Sequence, residues 1–342
     1  DYGAFARVAV DHARRLVGRV VNARPDEVIF TSGATESNNL AILGLAEEGI
    51  RSQRRHVITT AIEHKSVLEP CAELERLGFD IEIVPVSPNG RFDPDRLASA
   101  LRPDTLLVST MQVNNETGVL QPIAPLTEIM ENSNAWWHVD AAQGFGKELE
   151  SLRHSRIDMI SISGHKIYAP KGIGALIARK RGNHLPPLRP LMYGGGQEQG
   201  LRPGTLPVPL IAGLGEAAKL SLCNHGKRRD KCLAMRSKIV KVLLSLGAQQ
   251  NGDEKSTLPH VINISLPDID SDQAIKALKH IIAVSSTSAC TSHTRTPSHV
   301  LTAMGCSPER VEASLRFSWC HMTEEVDWDE VSGILSQLRR GK

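Results

Sequence analysis

The chain has 342 residues, of which 41% are hydrophobic, and its formal net charge is +2. This length and apolar content suffice for one large core and a smaller second one, and the small net charge excludes an electrostatic commitment to nucleic acid or to a membrane surface. No apolar run approaches the roughly 20 residues of a transmembrane helix, and no signal peptide opens the sequence.

Predicted strands and helices alternate along the chain. An amphipathic helix comes first, with apolar positions that begin at Phe5 and Val8 and end at Val20. Helical patterns at 66–77, 94–101 and 126–130 lie between several β-rich runs. These runs cover residues 27–31, 56–61, 81–86, 105–113, 135–139, 158–161 and 173–178. This alternation predicts an α/β domain with a mainly parallel, seven-stranded sheet, helices on both faces, and catalytic groups at the strand ends.

A long helical stretch from Val208 to about Leu246 is predicted to lead into a second, smaller α/β unit. Its predicted strands are 260–266, 281–285 and 313–318, and its predicted helices are 271–279, 297–304 and 324–338. We therefore expect two domains. Residues 1–225 form the large domain, and residues 226–342 form the small one.

Cysteine usage indicates a reducing compartment. No two cysteines have CxxC spacing, so no metal site is expected, and a disulfide framework is implausible in a chain of this length. The six cysteines are Cys71, Cys223, Cys232, Cys290, Cys306 and Cys320. A cytoplasmic location is predicted.

A lysine and an aspartate at strand ends indicate the chemistry of the large domain. His165-Lys166 follows a strand-like run and lies 25 and 26 residues after Asp140, which ends another such run. Pyridoxal 5'-phosphate (PLP) needs an amine to hold its aldehyde and a carboxylate to keep its pyridine nitrogen protonated. Lys166 and Asp140 are the candidates for these two roles.

The phosphate of such a cofactor is expected at Gly33-Ala34-Thr35. This turn follows a strand and opens a helix, so N–H groups and the positive end of the helix dipole converge there. Thr35 adds a hydroxyl donor. An ordinary capped helix start is the alternative interpretation of the same turn.

Eight motifs together resemble the cysteine desulfurases, a family of fold-type I PLP enzymes, and the resemblance extends from about residue 3 to residue 340. The motifs are GATESNN (33–39), IEHKSV (62–67), VNNETG (113–118), HVDAAQ (138–143), SGHKIYAPKG (163–172), RPGT (202–205), SSTSACTS (285–292) and SLRFS (314–318). The resemblance implies the PLP-dependent transferase fold type I.

The resemblance also assigns roles around the cofactor. Ser163 and His165 are expected to donate to the same phosphate, which Ala34 and Thr35 also bind, and Thr205 is expected to reach that phosphate from the partner subunit of a homodimer. His64 is expected to stack on the pyridine ring and to assist proton transfer. Gln143 and Asn115 are expected to contact the phenolate oxygen, and Asn115 also faces the substrate, whereas Asn114 and Glu116 shape the loop. These cofactor-binding residues are Ala34, Thr35, His64, Asn115, Asp140, Gln143, Ser163, His165, Lys166 and Thr205.

Two further residues decide the reaction. Arg316, in the strand-like SLRFS, can bind an amino-acid carboxylate bidentately, although a surface salt bridge is the alternative. Cys290 lies in a Ser/Thr-rich stretch without apolar periodicity, where a thiolate can reach a substrate sulfur. The length of this stretch resembles the long-loop group of desulfurases, in which we expect Gly where Thr287 stands.

The implied function is conversion of L-cysteine to L-alanine, with the sulfur carried as a persulfide on Cys290 to an acceptor protein. Iron–sulfur cluster assembly, tRNA thiolation and DNA phosphorothioation are all open as the destination of the sulfur. A selenocysteine lyase and a non-enzymatic docking scaffold are the alternative functions. Family members usually carry a preceding segment that folds back near the active site, and roughly 35–40 such residues are expected to be absent from this chain.

Overall fold

The structure is a computed structural model that describes residues 2–286 and 296–340. It divides into two compact units. The first unit consists of Asp1–Val84, Phe92–Val113 and Gln121–His225, and the second of Pro85–Arg91, Asn114–Leu120 and Gly226–Lys342. Two short segments thus belong to the second unit although they come from the sequence of the predicted large domain. One of them, Asn114–Leu120, is held there by backbone hydrogen bonds from Leu120 to Ser256 and from Leu258 to Gly118.

A seven-stranded sheet forms the centre of the first unit. Its strands are β1 (Val28–Thr31), β2 (His56–Thr60), β3 (Asp80–Val84), β4 (Thr105–Met111), β5 (Trp136–Asp140), β6 (Met159–Ser163) and β7 (Gly174–Ala178). They lie in the order β1-β7-β6-β5-β4-β2-β3. Only β7 runs antiparallel to its neighbours, β1 and β6. The prediction of a mainly parallel sheet of seven strands is confirmed.

Helices cover this sheet. Every residue of β1, β2, β4, β6 and β7 is buried, and since alternate side chains of a strand point to opposite faces, both faces of the sheet are covered. The helices of the first unit are α1 (Tyr2–Val20), α2 (Ala34–Leu43), α3 (Ala46–Ser52), α4 (Lys65–Arg76), α5 (Pro94–Ala100), α6 (Ile123–Glu131) and α7 (Val208–Cys223).

The apolar face of α1 begins later than predicted. Phe5 and Val8 are 75% and 63% exposed, whereas Val17 and Val20 are fully buried. The buried part of α1 packs against α7. Gly215 allows this close approach, because a Cβ at that position would lie 2.6 Å from the Cα of Ala13.

A four-stranded antiparallel sheet forms the centre of the second unit. Its strands β8 (Gln249–Gln250), β9 (Val261–Ser265), β10 (Ser285–Ser286) and β11 (Ser314–Ser318) lie in the order β10-β11-β9-β8. The helices are α8 (His225–Ser245), α9 (Ser271–Leu278), α10 (His299–Ala303), α11 (Pro308–Glu312) and α12 (Trp328–Arg340). None of the helices in the described ranges has the length and apolarity needed to cross a bilayer.

Three predictions for this part of the chain are wrong in detail. The long helix from Val208 is two helices, because Asn224 (φ −110°, ψ 11°) leaves the helical region between α7 and α8. The predicted strand 281–285 begins only at its last residue, Ser285, which starts β10, because Ile281 and Ile282 form a turn in which both donate to the carbonyl of Leu278. The last helix begins four residues late, at Trp328, because Asp327 caps its first N–H groups.

Candidate active site

The predicted site residues of the first unit follow the carboxyl ends of its strands. Residues 33–35 follow β1, His64 follows β2, Asp140 ends β5 and Ser163 ends β6. β2, β5 and β6 run parallel, and β1 points the same way because β7 is antiparallel to both β1 and β6. Carboxyl ends of strands with one direction meet at one edge of a sheet. The fold therefore gathers these residues at one edge.

The start of α2 lies next to Ser163. A Cβ on Gly33 would be 3.6 Å from the Ser163 hydroxyl. A Cβ on Gly174, at the start of β7, would be 2.6 Å from the Cα of Gly33, so a glycine at position 174 is needed for the close crossing. The first N–H groups of α2, at Ala34 and Thr35, thus converge with the Ser163 hydroxyl on one anion-sized position.

His165 belongs to the same group of donors. Its Nδ1 lies 3.0 Å from the Ser163 hydroxyl. The pKa of His165 is lowered by desolvation and by the positive charges of Lys166, Lys171 and Lys147. His165 is therefore neutral near pH 7, and it can donate one hydrogen bond to an anion.

A hydrogen-bonded chain connects Asp140 with His64. The Asn38 amide nitrogen donates to Asp140 Oδ2 and to Ser66 Oγ, both at 2.8 Å. Ser66 Oγ lies 2.8 Å from His64 Nδ1, and the N–H of Ala142 donates to Asp140 Oδ1 at 2.9 Å. Sequence reasoning did not single out Asn38 or Ser66, although both lie inside quoted motifs, and polar residues in such motifs are the signal that would have found them.

This chain of hydrogen bonds defines the tautomer of His64. His64 caps α4, and its Nδ1 accepts the backbone N–H of Ser66 at 3.1 Å. A backbone N–H can only donate, so Nδ1 of the neutral ring carries no proton and Nε2 carries it. His64 therefore presents an N–H group on its other side.

Asp140 lies close to Lys166. Burial raises the pKa of Asp140, while the Ala142 N–H, the Asn38 amide and the charge of Lys166 oppose that shift. Lys166 lies in the short helical turn Gly164–Ile167 directly after β6. Gln143, half-buried, follows Asp140 in the turn after β5. A buried carboxylate next to these groups is suited to hold a protonated ring nitrogen.

Glu63 is a buried acid next to this site that sequence reasoning missed. Its Oε1 accepts hydrogen bonds from the Thr60 hydroxyl at 2.6 Å and from the Met111 N–H at 2.8 Å. Burial raises the pKa of Glu63 to about 8, and the charge of Asp140 adds to this shift. Glu63 is thus protonated near pH 7 and adds no negative charge next to Asp140.

The raised pKa of Glu63 makes stability depend on pH. The unfolded chain releases this proton near pH 4.5 but the folded chain only near pH 8, so the free energy of unfolding falls by about 1 kcal/mol per pH unit across that window. We expect Glu63→Gln to reduce this decline in urea unfolding of the cofactor-free protein. Glu75→Gln, on the exposed side of α4, is the matched control, and an unchanged decline in Glu63→Gln would show that Glu63 is ionised.

The predicted substrate-binding residues belong to the second unit. Arg316 lies in the middle of β11, and its Nη1 donates to the carbonyl of Asn115 at 3.0 Å. Within the described ranges its buried Nε has no hydrogen-bond partner. Asn114 shapes the turn, because its Oδ1 accepts the N–H groups of Glu116 and Thr117, each at 2.9 Å. Arg316 and Asn115 are thus brought together.

Glu116 fastens this turn inside the second unit. Its carboxylate accepts the hydroxyl of Ser298, and its carbonyl accepts the Asn263 amide at 3.2 Å. Burial raises the pKa of Glu116, and the charges of His299 and Arg316 oppose that shift. Cys290, the predicted persulfide carrier, and Thr287 lie outside the described residues.

Thr205 is exposed at the end of a loop that is anchored to its own chain. Glu198, whose side chain is 1% exposed, binds both Nη atoms of Arg14, at 2.9 and 2.5 Å, and the N–H of Phe30 at 2.6 Å. Glu198 has φ +49°, a left-handed conformation that costs a non-glycine residue free energy. The loop is therefore held in one conformation.

The fold and this site define a class of enzymes that bind a cofactor at the carboxyl edge of a mainly parallel sheet. The family model for aminotransferase class V matches residues 1–331. A cysteine desulfurase named IscS from Vibrio atlanticus is 42% identical over 339 residues, which cover 99% of this chain and 82% of that protein.

Two solved structures are also similar. DndA from Streptomyces lividans has 49% sequence identity and a TM-score of 0.86, and the match covers 93% of this chain and 90% of that one. A structure described as SspA in complex with cysteine has 36% identity and a TM-score of 0.80, with 92% and 88% coverage. The chain belongs to the class-V aminotransferase family and, within it, to the cysteine desulfurases. Enzymes of this family depend on PLP, and the predicted resemblance is confirmed.

Proposed function

We propose that this chain binds PLP, converts L-cysteine to L-alanine, and transfers the sulfur through a persulfide on Cys290. The observation that carries the proposal is the arrangement at the carboxyl edge of the large sheet. Lys166 and the chain Asp140–Asn38–Ser66–His64 lie there, on the same edge as the start of α2. A family match alone does not supply this arrangement.

The residues of the first unit fit the phosphate of the cofactor. The proposed phosphate donors are all neutral groups at a helix start, where the helix dipole favours an anion. They are the N–H groups of Ala34 and Thr35, the hydroxyls of Thr35 and Ser163, and the neutral ring of His165. Gly174 keeps this position open, since a Cβ on Gly174 would meet Gly33 at 2.6 Å.

The family resemblance assigns the ring of the cofactor to four further residues. Asp140 would hold the protonated pyridine nitrogen, His64 would stack on the ring, and Gln143 with Asn115 would bind its phenolate oxygen. When bound, PLP supplies an electron sink for the carbon that loses its proton. Asn38 keeps Asp140 in place through its 2.8 Å hydrogen bond.

Arg316 and Lys166 act on the substrate cysteine. The free Nε edge of the Arg316 guanidinium can bind the substrate carboxylate, because its Nη1 is already oriented by the Asn115 carbonyl. Lys166 would hold the cofactor covalently and would accept the α-proton of the substrate. Neutral His64 carries its proton on Nε2 and can donate a hydrogen bond there, whereas proton transfer from His64 would require its imidazolium form.

Cys290 takes the sulfur. Its thiolate attacks the substrate sulfur, the carbon–sulfur bond breaks, and a sulfur–sulfur bond forms on Cys290. The carbon skeleton takes up a proton at Cβ in place of the sulfur, regains a proton at Cα, and leaves as alanine. One cysteine and one Cys290 thiol thus give one alanine and one persulfide, and the persulfide then passes to an acceptor protein.

The test of this function is product formation from two substrates. The purified protein is expected to be yellow and to release alanine and sulfide in equal amounts from L-cysteine in the presence of a thiol. Turnover of selenocysteine, with Cys290→Ser as the control, tests the alternative activity. Turnover of selenocysteine alone would make the protein a selenocysteine lyase, and the desulfurase proposal would be wrong.

We further propose that the active enzyme is a cytoplasmic homodimer in which Thr205 completes the phosphate site of the partner copy. Residues 1–225 form the PLP-binding domain, and residues 226–342 form the domain that carries Cys290. Thr205 is exposed on an anchored loop, which supports a role outside its own chain. The acceptor protein is found by following labelled sulfur from Cys290, and the outcome decides among iron–sulfur assembly, tRNA thiolation and DNA phosphorothioation.

The shared site predicts that two inactive variants complement each other. Loss of the Thr205 hydroxyl should weaken cofactor binding by about 1–3 kcal/mol, so Thr205→Ala loses PLP on dialysis. In a mixed dimer with Lys166→Ala, the site with an intact Lys166 receives Thr205 from the Lys166→Ala chain. We expect this mixture to regain activity, and verified mixed dimers without activity would show that Thr205 serves its own chain.

A further inference from the structure

The loop that carries Thr205 is also bound to the phosphate-binding helix of its own chain. Arg202 lies three residues before Thr205, and its Nε donates to Glu36 Oε1 at 2.9 Å. The other carboxylate oxygen of Glu36 accepts the N–H of Ser32 at 2.7 Å. The two charged side chains are 23% and 16% exposed, so solvent screens this ion pair only in part.

Glu36 places a negative charge next to the proposed phosphate site. It lies in the first turn of α2, next to Thr35, and adjacent Cα atoms are only about 3.8 Å apart. Burial opposes its ionisation, but hydrogen bonds from Ser32 and Arg202 outweigh burial and lower the pKa of Glu36. Glu36 is therefore ionised, and its charge repels a phosphate bound at Thr35 unless a cation compensates it.

Arg202 is placed to supply that compensation, and Thr205 is placed differently. Arg202 is half-buried against α2 of its own chain, whereas Thr205 is exposed. Gln197 Oε1 accepts the N–H of Gly204, one of the two residues between Arg202 and Thr205, at 3.0 Å. One short run can therefore serve two different sites.

We infer that Arg202 is a positioning residue for the phosphate site of its own chain, where it neutralises Glu36, while Thr205 serves the site of the partner copy. The inference rests on the proposed PLP binding. Its first part, the action of Arg202 through Glu36, does not depend on the homodimer.

The first experiment measures PLP retention by absorbance after dialysis of the holoenzyme. We expect Arg202→Leu to weaken retention by about tenfold, because an uncompensated charge then lies near the phosphate. Arg202→Lys should stay within about threefold of the wild type, since it keeps the charge. The double variant Arg202→Leu/Glu36→Gln should recover, because it removes both charges. A double variant as weak as Arg202→Leu would overturn the inference, since it would reduce Arg202 to an anchor of the loop.

The second experiment separates the two chains of a mixed dimer. Arg202→Leu chains are paired with Lys166→Ala chains, dialysed and reduced with borohydride. Mass spectrometry then measures how much of each chain carries the reduced cofactor. Only the Arg202→Leu chain can carry the label. We expect its labelling to stay as low as in the Arg202→Leu homodimer, because its own Glu36 remains uncompensated.

The matched pair of Thr205→Ala with Lys166→Ala should regain labelling. Recovery in both pairs would mean that Arg202 acts across the interface, which contradicts the inference. Recovery in neither pair would contradict the shared site of the proposed function, while the Glu36→Gln rescue would still decide the role of Arg202.

Discussion

Lys166→Ala is expected to lower turnover of L-cysteine by about a thousandfold or more, because one residue both holds the cofactor and moves the α-proton. Borohydride reduction should no longer attach the cofactor to the chain. The physical reason lies in the position of Lys166, directly after β6 and close enough to Asp140 for its charge to act on that carboxylate. Turnover and intact-chain mass after reduction are the two measurements.

Lys171 provides the control for this prediction. It is an exposed lysine five residues further along the same motif, so Lys171→Ala should retain both turnover and the reduced adduct. A reduced cofactor found on Lys171 in the wild-type enzyme would overturn the assignment of Lys166.

The fold of the large unit follows closely from sequence patterns. Strand candidates such as 56–61 and 105–113 differ from β2 and β4 by one or two residues, because long apolar runs between polar turns have few alternatives. The errors in secondary structure arise where a single residue or a local turn overrides the apolar pattern. Asn224 interrupts a helical pattern that the apolar spacing alone would continue, and the apolar residues Ile281 and Ile282 reach the core of the second unit from a turn instead of a strand.

Some residues of the site could be predicted from the sequence, and others could not. Residues that contact a ligand, such as Lys166 and Asp140, are visible from chemistry and motif. The supporting residues are not, because their partners are distant in sequence: Asn38 reaches Asp140 across 102 residues. Glu198 reaches Arg14 across 184 residues. No periodicity encodes such pairs, so only the folded chain reveals how Asp140 is held and how the start of the Thr205 loop is anchored.

Cys290→Ser is expected to abolish release of alanine and sulfide while it preserves binding of PLP. The sulfur needs a thiolate as its acceptor, and a serine hydroxyl is far too weak an acid and nucleophile to replace it at neutral pH. The groups proposed to bind the phosphate and the ring nitrogen lie in the first unit, at the start of α2 and the ends of β5 and β6, so the visible absorbance of the bound cofactor should be unchanged. Mass spectrometry after a single turnover should find one additional sulfur on the wild-type chain and none on the variant.

Cys320 is the matched control, because it is the cysteine nearest in sequence to Arg316 and its Sγ accepts the Met322 N–H at 3.4 Å. Cys320→Ser should turn over cysteine at the wild-type rate and carry the sulfur adduct on Cys290. Turnover at the wild-type rate in Cys290→Ser, combined with loss of the adduct in Cys320→Ser, would transfer the role of persulfide carrier to Cys320. Arg316, which lies in β11 four residues before Cys320, would then orient the substrate carboxylate for the cysteine that follows its strand. The Ser/Thr-rich stretch around Cys290 would have no part in the chemistry.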